Sequence, residues 1–396
     1  MHVSKRLQKL KPSETIAITT RARELQAAGK DVIVLAAGEP DFSPAGFVRE
    51  AAAVFAREGM TRYGPAPGTL ETRQELAAFL ERTRGVSYTP EQIVVTNGGK
   101  HALFNALAGL IDPGDEVLIL APYWVTYPAQ VELLGGVPVY LSADDAQGFK
   151  VTPEQLSAAL STKTRCVIFN NPSNPTGAYY TADEVRALTE VCVEAGVVIV
   201  SDEVYDAIIF DGGPYLSPAS VSEEARDLTV IASSLSKAYA MPGWRIGYLA
   251  GPPDWVKKVA SFQGQTSHHI SLLSQAAAAV AVSGDQAPVE EMRVAFRKRR
   301  DFLLDAFRDI PGFEIAVAPE GAFYLFPRIT GLIDAIPEVE NSVDACAWLL
   351  DNAMVALVPG SAFGAEGFLR LSYAASEEDL EKAVQRLSET AGNLIG

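Results

Sequence analysis

GVVIVSDEVYDA, residues 196–207, follows a glycine with four apolar residues in succession and then turns polar at Ser201 and Asp202. A strand that is apolar at every position, rather than at every second one, has no side left for water. It must be covered on both faces. The same pattern recurs in QIVVT (92–96), EVLIL (116–120), RCVIF (165–169), LTVIAS (228–233) and RIGYLAG (245–251), with longer helical patterns between the runs. Buried strands alternating with helices predict an α/β fold built on a mostly parallel sheet.

The polar residues fall at one kind of place. Thr96-Asn97-Gly98-Gly99, Pro122-Tyr123-Trp124, Asn170-Asn171, Ser201-Asp202 and Ser233-Ser234 all lie at or just past the carboxyl end of a strand. Ligands of open α/β sheets bind along that edge. Five strands therefore direct polar groups to one region.

The rhythm changes after VEEMRVAFRKRRDFLLDAF (289–307), a long amphipathic helix pattern. Strand-like GAFYLFPRI (321–329), VALVPGSAFG and FLRLSYA follow and read as a second, smaller α+β unit. The first 45 residues or so lack a βαβ rhythm and are expected to pack with it. The division expected is a large domain over 46–288 and a small one from 1–45 and 289–396.

Composition narrows the function. The chain has 396 residues, 48% of them apolar, and a net charge of -16, which disfavours nucleic acid or an anionic membrane as partner because both need a positive face. Cys166, Cys192 and Cys346 have no CxxC spacing and suggest neither disulfides nor zinc, so buried small hydrophobes in a cytoplasmic protein are expected. No apolar run reaches the roughly 18 residues needed to cross a bilayer, and the basic start, MHVSKRLQKLKPSET, lacks the apolar core of a secretory signal. Small-molecule chemistry is the expectation, with no metal, since His268 and His269 have no third ligand at suitable spacing.

SSLSKAYAMPGWRIGY (233–248) sets Lys237 among small residues behind a buried-strand pattern. Loss of water there depresses an ammonium's pKa and frees the amine to form a Schiff base. Arg245 can grip a phosphate as a two-pronged donor, with hydroxyl help from Ser234 and Ser236. Asp202 either caps a helix or faces a pyridinium nitrogen, with Tyr205 then donating to a ring oxygen. Lysine, phosphate clamp and pyridinium partner together describe pyridoxal 5'-phosphate.

At this point the chain resembles the class I aminotransferases of the fold type I pyridoxal phosphate enzymes, and among them the bacterial aspartate aminotransferases. The resemblance runs through KPSETIAI, LAAGEPDF, TRYGPAPGTLETRQELA, TNGGKHALFNAL, DPGDEVLILAPYWVTYP, NNPSNPTGAYY, SDEVY, SKAYAMPGWRIGY, PEGAFYLF, VALVPGSAFG and LRLSYA, in that order. It implies a mostly parallel seven-stranded sheet in the large domain, and a homodimer with shared active sites.

The resemblance also implies roles. Lys237 looks like the cofactor-bearing lysine that later moves a proton between the substrate's α-carbon and C4', and Asp202 like the carboxylate that keeps the ring nitrogen protonated. Tyr205 and Asn174 match the pair on the ring's phenolic oxygen, with a cis bond expected between Asn174 and Pro175. Trp124 corresponds to the stacking aromatic, and Gly98, Gly99 and Lys100 to the turn whose amides meet the phosphate. Tyr63 resembles the tyrosine that reaches a neighbouring subunit's phosphate. Arg370 matches the grip on the substrate's α-carboxylate, and Gly38 the backbone beside it.

For the substrate side chain, Lys100 stands where the subgroup meets a distal carboxylate, with Ser13 and Thr15 near the same pocket. Aspartate or glutamate is therefore the expected donor. Lys11 stands where some members accept prephenate, so aspartate/glutamate-prephenate or broader aromatic specificity remains open. GQTSHHISLLSQ departs from its relatives, and its His268 and His269 read either as a surface pair or as residues that alter selectivity. Elimination on the same cofactor and a non-catalytic regulator are the remaining alternatives. The regulator needs a DNA-binding module and a basic face.

Overall fold

The structure is a computed structural model that describes residues 2–8, 10 and 14–395. A short strand β1 (Ile33–Val34) precedes β2 (Ile93–Asn97), β3 (Glu116–Ala121), β4 (Val137–Ser142), β5 (Thr164–Asn170), β6 (Val198–Asp202), β7 (Thr229–Ser234) and β8 (Ile246–Ala250). These last seven form one sheet in the order β2-β8-β7-β6-β5-β3-β4. Only β8 runs against its neighbours, pairing antiparallel with both β2 and β7. The mostly parallel seven-stranded sheet is thus present.

Why residues 196–207 set this architecture is visible locally. The helix Ala182–Ala195 opens on a capping box between Thr181 and Glu184 and closes at Gly196, whose φ of 66° lies in the left-handed region that favours glycine. The chain then enters β6 with alternate side chains in different cores. Ile199 packs with Leu118, Val167 and Phe169 on one face of the sheet, whereas Val200 packs with Val117, Ile119 and Ile168 on the other. Both faces are dry, as a strand without polar alternation requires.

The strand whose apolar run is interrupted by a proline is β4, VPVYLS. It is the sheet's edge, where Val137 and Tyr140 are each 46% exposed and Pro138 has no inner neighbour to disappoint on its outer side. All three cysteines are buried.

Beyond the sheet, the helix Ala287–Phe307 begins two residues before the amphipathic pattern and carries Pro288 in its first turn. Strands β9 (Tyr324–Leu325), β10 (Val355–Ala356), β11 (Val358–Pro359) and β12 (Leu369–Ser372) follow. β11-β12-β9 form an antiparallel sheet, and β1 pairs in parallel with β10. The expected strand over 321–329 shrinks to two residues, because Ala322 sits at a φ of 57° and Pro327 has no donor for a ladder. Ile33 and Leu35 share one core with Phe296, Leu303, Leu371 and Leu387. Among the described residues, no helix is long and apolar enough to cross a membrane.

Candidate active site

The carboxyl edge of the large sheet brings the predicted residues together. Asp202 ends β6 and is 3% exposed. Tyr127, from the helix Thr126–Leu133, donates its phenol to Asp202 Oδ2 at 2.6 Å, and Asn170 at the end of β5 donates Nδ2 to the Asp202 carbonyl at 3.1 Å. Burial pushes the Asp202 carboxyl up to about 6, against the hydrogen bonds from Tyr127 and Val204 and the charge of Lys237, which favour ionisation.

Lys237 lies just beyond β7, half-buried, and its Nζ donates to the carbonyl of Gly38. Burial brings this amine down to about 8, with Arg370 and Arg245 acting in the same direction and Glu39 and Asp202 opposing. The ammonium sits 5.8 Å from the ring centre of Tyr205 and 5.7 Å from that of Phe323. Tyr205 in turn shares a 2.7 Å hydrogen bond with the hydroxyl of Tyr324 on β9. A Cβ on Gly38 would stand 2.7 Å from that same Tyr324 oxygen, so a side chain there would displace it.

Arg370 on β12 is 3% exposed. Its Nη1 donates to Asn174 Oδ1 at 2.9 Å and its Nη2 to the carbonyl of Ala36 at 2.8 Å, while its Nε is buried with no partner. The guanidinium lies 4.5 Å from the ring centre of Tyr324 and 5.0 Å from that of Phe363. An unpaired buried donor costs about 1–3 kcal/mol and invites an acceptor. The Asn174–Pro175 peptide is cis.

The remaining residues build an anion cradle. Gly98, at a φ of 79°, precedes the helix Gly99–Ala108, whose first N–H groups have no partner within the helix. Arg245 Nη2 donates to the Asn97 carbonyl at 3.2 Å, and a Cβ on Gly98 would lie 2.5 Å from it. A Cβ on Gly99 would stand 3.4 Å from that of Ser234. Ser236 is buried and its N–H donates to Ser234 Oγ at 3.3 Å. A helix N-terminus, the Ser234 hydroxyl and an arginine converge as phosphate binding needs.

Trp124 stands edge-on to Tyr127 at 5.6 Å, and Lys100 Nζ lies 5.1 Å from its ring centre. Tyr63 is elsewhere: it is 91% exposed, and its ring contacts are with His268 at 5.7 Å and His269 at 5.9 Å. Lys11, Ser13 and the side chain of Thr15 lie outside the described residues. Among the described residues, no group of three or more His, Cys, Asp or Glu is placed to hold a metal.

Three contributors carry no role in the sequence reading. Tyr127 follows Trp124 by one helical turn in YWVTYP, Tyr324 lies within GAFYLF, and Asn170 precedes the NPSNPTG block. Each lies in a stretch marked by pattern, yet Tyr127 and Tyr324 act on other side chains and Asn170 on a backbone carbonyl. Spacing alone does not reveal such a partner.

Comparison with known proteins agrees with this arrangement. A family model for aminotransferase class I and II matches residues 30–387. The chain is 46% identical over 98% of its length, and 98% of the relative's, to an aspartate aminotransferase of Geobacillus stearothermophilus. It is 42% identical, over 98% of both chains, to a probable aspartate/prephenate aminotransferase of Aquifex aeolicus. Among solved structures, the aspartate aminotransferase of Rhizobium meliloti superimposes with a TM-score of 0.95 at 38% identity, covering 100% of both chains. That of Thermus thermophilus, solved with maleate, does so with a TM-score of 0.93 at 40% identity, covering 98% of this chain and 100% of the other. With the fold shared from end to end and the match spanning nearly the whole chain, this protein belongs to the class I and II aminotransferases and is an aminotransferase of that family.

Proposed function

We propose that the protein is a pyridoxal 5'-phosphate-dependent aminotransferase that moves an amino group between aspartate or glutamate and 2-oxoglutarate or oxaloacetate. The observation that carries this reading is the convergence on one edge of an amine near pKa 8 at Lys237, a buried carboxyl at Asp202 and a buried guanidinium with a spare donor at Arg370. When bound, pyridoxal phosphate supplies an electron sink for the pair released at an amino acid's α-carbon.

Each residue's part follows from its chemistry. Helix N–H groups at Gly98–Lys100, with Ser234, Ser236 and Arg245, bind the phosphate. Asp202, ionised with help from Tyr127, holds a proton on the ring nitrogen. Tyr205 donates to the phenolic oxygen, and Asn174, whose Oδ1 is taken by Arg370, has its amide donor end to offer there. Trp124 covers the ring. Lys237 would hold the cofactor and, as a free amine, would hold or move the proton at the α-carbon, a role suited to an amine that is partly neutral near pH 8. Arg370 binds and orients the α-carboxylate beside Gly38.

Lys100, adjacent to Trp124, is assigned to the distal carboxylate. The maleate seated in the Thermus thermophilus relative, also a dicarboxylate, supports an acidic substrate. The aspartate/prephenate name of the Aquifex aeolicus relative makes prephenate the second acceptor to examine. Tyr63, with His268 and His269, is assigned to the partner's site of a cytoplasmic homodimer. The division into residues 46–288 and residues 1–45 with 289–396 is supported by the core that Ile33 and Leu35 share with the C-terminal segment.

Single-turnover spectroscopy tests this reading. Aspartate and glutamate, but not phenylalanine or alanine, should rapidly bleach the visible band of the cofactor-loaded protein, and oxaloacetate, 2-oxoglutarate or prephenate should restore it. Faster reaction with phenylalanine would overturn the side-chain assignment. A protein that takes up no cofactor would overturn the function.

A further inference from the structure

The turn that supplies Asp202 and Tyr205 has a second face. Glu203 and Asp206 alternate with those two residues along the chain and meet Arg84, the last residue of the helix Leu70–Arg84. Arg84 Nε donates to Glu203 Oε2 at 3.1 Å, and its Nη2 pairs with Asp206 Oδ2 at 2.7 Å. The Arg84 and Glu203 side chains are 1% and 0% exposed.

Glu203 is satisfied on every side. Its Oε1 accepts from Ser201 Oγ at 2.9 Å and Ser217 Oγ at 2.5 Å, its carbonyl accepts from Ser233 Oγ at 3.1 Å, and its N–H donates to the Ala232 carbonyl at 3.0 Å. The Arg84 guanidinium is sandwiched by Phe79 and Tyr215, with ring centres at 5.3 and 5.4 Å. The other titratable groups facing the cluster are the phenols of Tyr88, Tyr239 and Tyr248.

Three charges out of water are costly, and a well-packed apolar cluster of equal volume would often be no less stable. Stability alone therefore does not account for them. Their placement does: the cluster grips residues 203 and 206 from behind, and residues 202 and 205 are held out toward Lys237.

We propose that Arg84 is a positioning residue of the active site, fixing the 202–206 turn through Glu203 and Asp206 and balancing the negative charge that these two carboxylates place behind Asp202. This inference rests on the pyridoxal phosphate reading. Arg84 is the counter-charge to both carboxylates in the cluster, and its removal leaves them facing each other without one.

The test uses the cofactor-loaded protein and reads the pH midpoint of its visible absorbance alongside kcat and KM. Extra negative charge nearby raises any proton affinity in the site, and less negative charge lowers it. Arg84→Met should move the midpoint upward by roughly half a pH unit or more. It should also lower kcat about tenfold with little change in KM, as expected when proton-handling groups lose their alignment. Asp206→Asn should move the midpoint downward, and Arg84→Met/Asp206→Asn, which removes one charge of each sign, should bring it back. Cofactor-bound variants with an unmoved midpoint would overturn the proposal and leave Arg84 a purely structural ion. Should Arg84→Met not fold, Asp206→Asn decides by the same sign. If the unsubstituted protein shows no visible band, the function reading fails instead.

Discussion

The phenol of Tyr127 reaches Asp202 across 2.6 Å, linking the helix after β3 to the end of β6. One helix and two strands thereby fix one residue, since Asn170 of β5 holds the backbone of the same Asp202.

Tyr127→Phe removes a donor that favours the ionised form of Asp202, so that carboxyl should take up its proton at higher pH than about 6. The acid limb of kcat/KM should move upward by roughly one pH unit. Turnover near pH 8.5 should change little, while that near pH 6 should fall about fivefold. An acid limb that stays in place would mean that Asp202 does not set it.

Lys237→Ala should abolish the visible band and lower turnover by roughly 10⁴-fold, because anchor and proton carrier are lost together. The same lysine makes a prediction about stability without cofactor. Its folded pKa of about 8 lies below the ordinary 10.5, so between those values the unfolded chain holds a proton that the folded chain has released, and stability rises with pH. Below pH 8 the full penalty applies, amounting to as much as ~3 kcal/mol at 1.36 kcal/mol per pH unit. Lys237→Met should therefore melt higher than the parent at pH 7, with the gap closing by pH 10.5. A gap independent of pH would exclude the titration of Lys237 as its source.

Arg370→Lys and Lys100→Ala should separate the two ends of the substrate. A lysine cannot keep the bonds to Asn174 and Ala36 and also present a third donor, so Arg370→Lys should lower kcat/KM about 100-fold for every amino acid alike. Lys100→Ala should cost about tenfold or more with aspartate and little with phenylalanine. Equal losses with both donors would remove Lys100 from the side-chain pocket.

Gly247→Ala tests the cradle's packing. Its new methyl would sit 2.4 Å from the Gly98 carbonyl carbon and 2.7 Å from the Gly99 nitrogen, both of them backbone atoms that cannot swing aside. The expected outcome is a loss of about 1–3 kcal/mol in stability with weaker phosphate retention, measured as a lower thermal midpoint and a higher cofactor Kd. Unchanged cofactor affinity would show that the turn tolerates displacement.

Much of this was legible beforehand, for a physical reason. Strands dry on both faces announce themselves as unbroken apolar runs, and six of the seven large-sheet strands did so. The seventh, β4, is also apolar in composition, but Pro138 interrupts it and one flank is wet, so it lacks the unbroken β-branched run that marks the others. Lys237 and Asp202 stand out because each is a charge at the end of an apolar strand pattern, whereas Arg370 is pointed to by the family resemblance alone. Tyr127, Tyr324 and Arg84 do not stand out, since a tyrosine or a helix-end arginine is ordinary until the fold shows what it touches. The resemblance assigns Tyr63 to a neighbouring subunit, and its exposed position beside His268 and His269 is a property of two loops that no single stretch encodes.

The bond from Arg370 to Ala36 spans 334 positions of sequence. A ribosome adding residues in order completes the anion cradle and the lysine more than a hundred residues before it reaches Arg370. At 5–20 residues per second, the delay is several seconds or more. During that interval the emerging chain has every residue of the cradle but no grip for a carboxylate. Every residue of the cradle is therefore in the chain before Arg370 is added, and the closing stitch between the two ends of the polypeptide comes last.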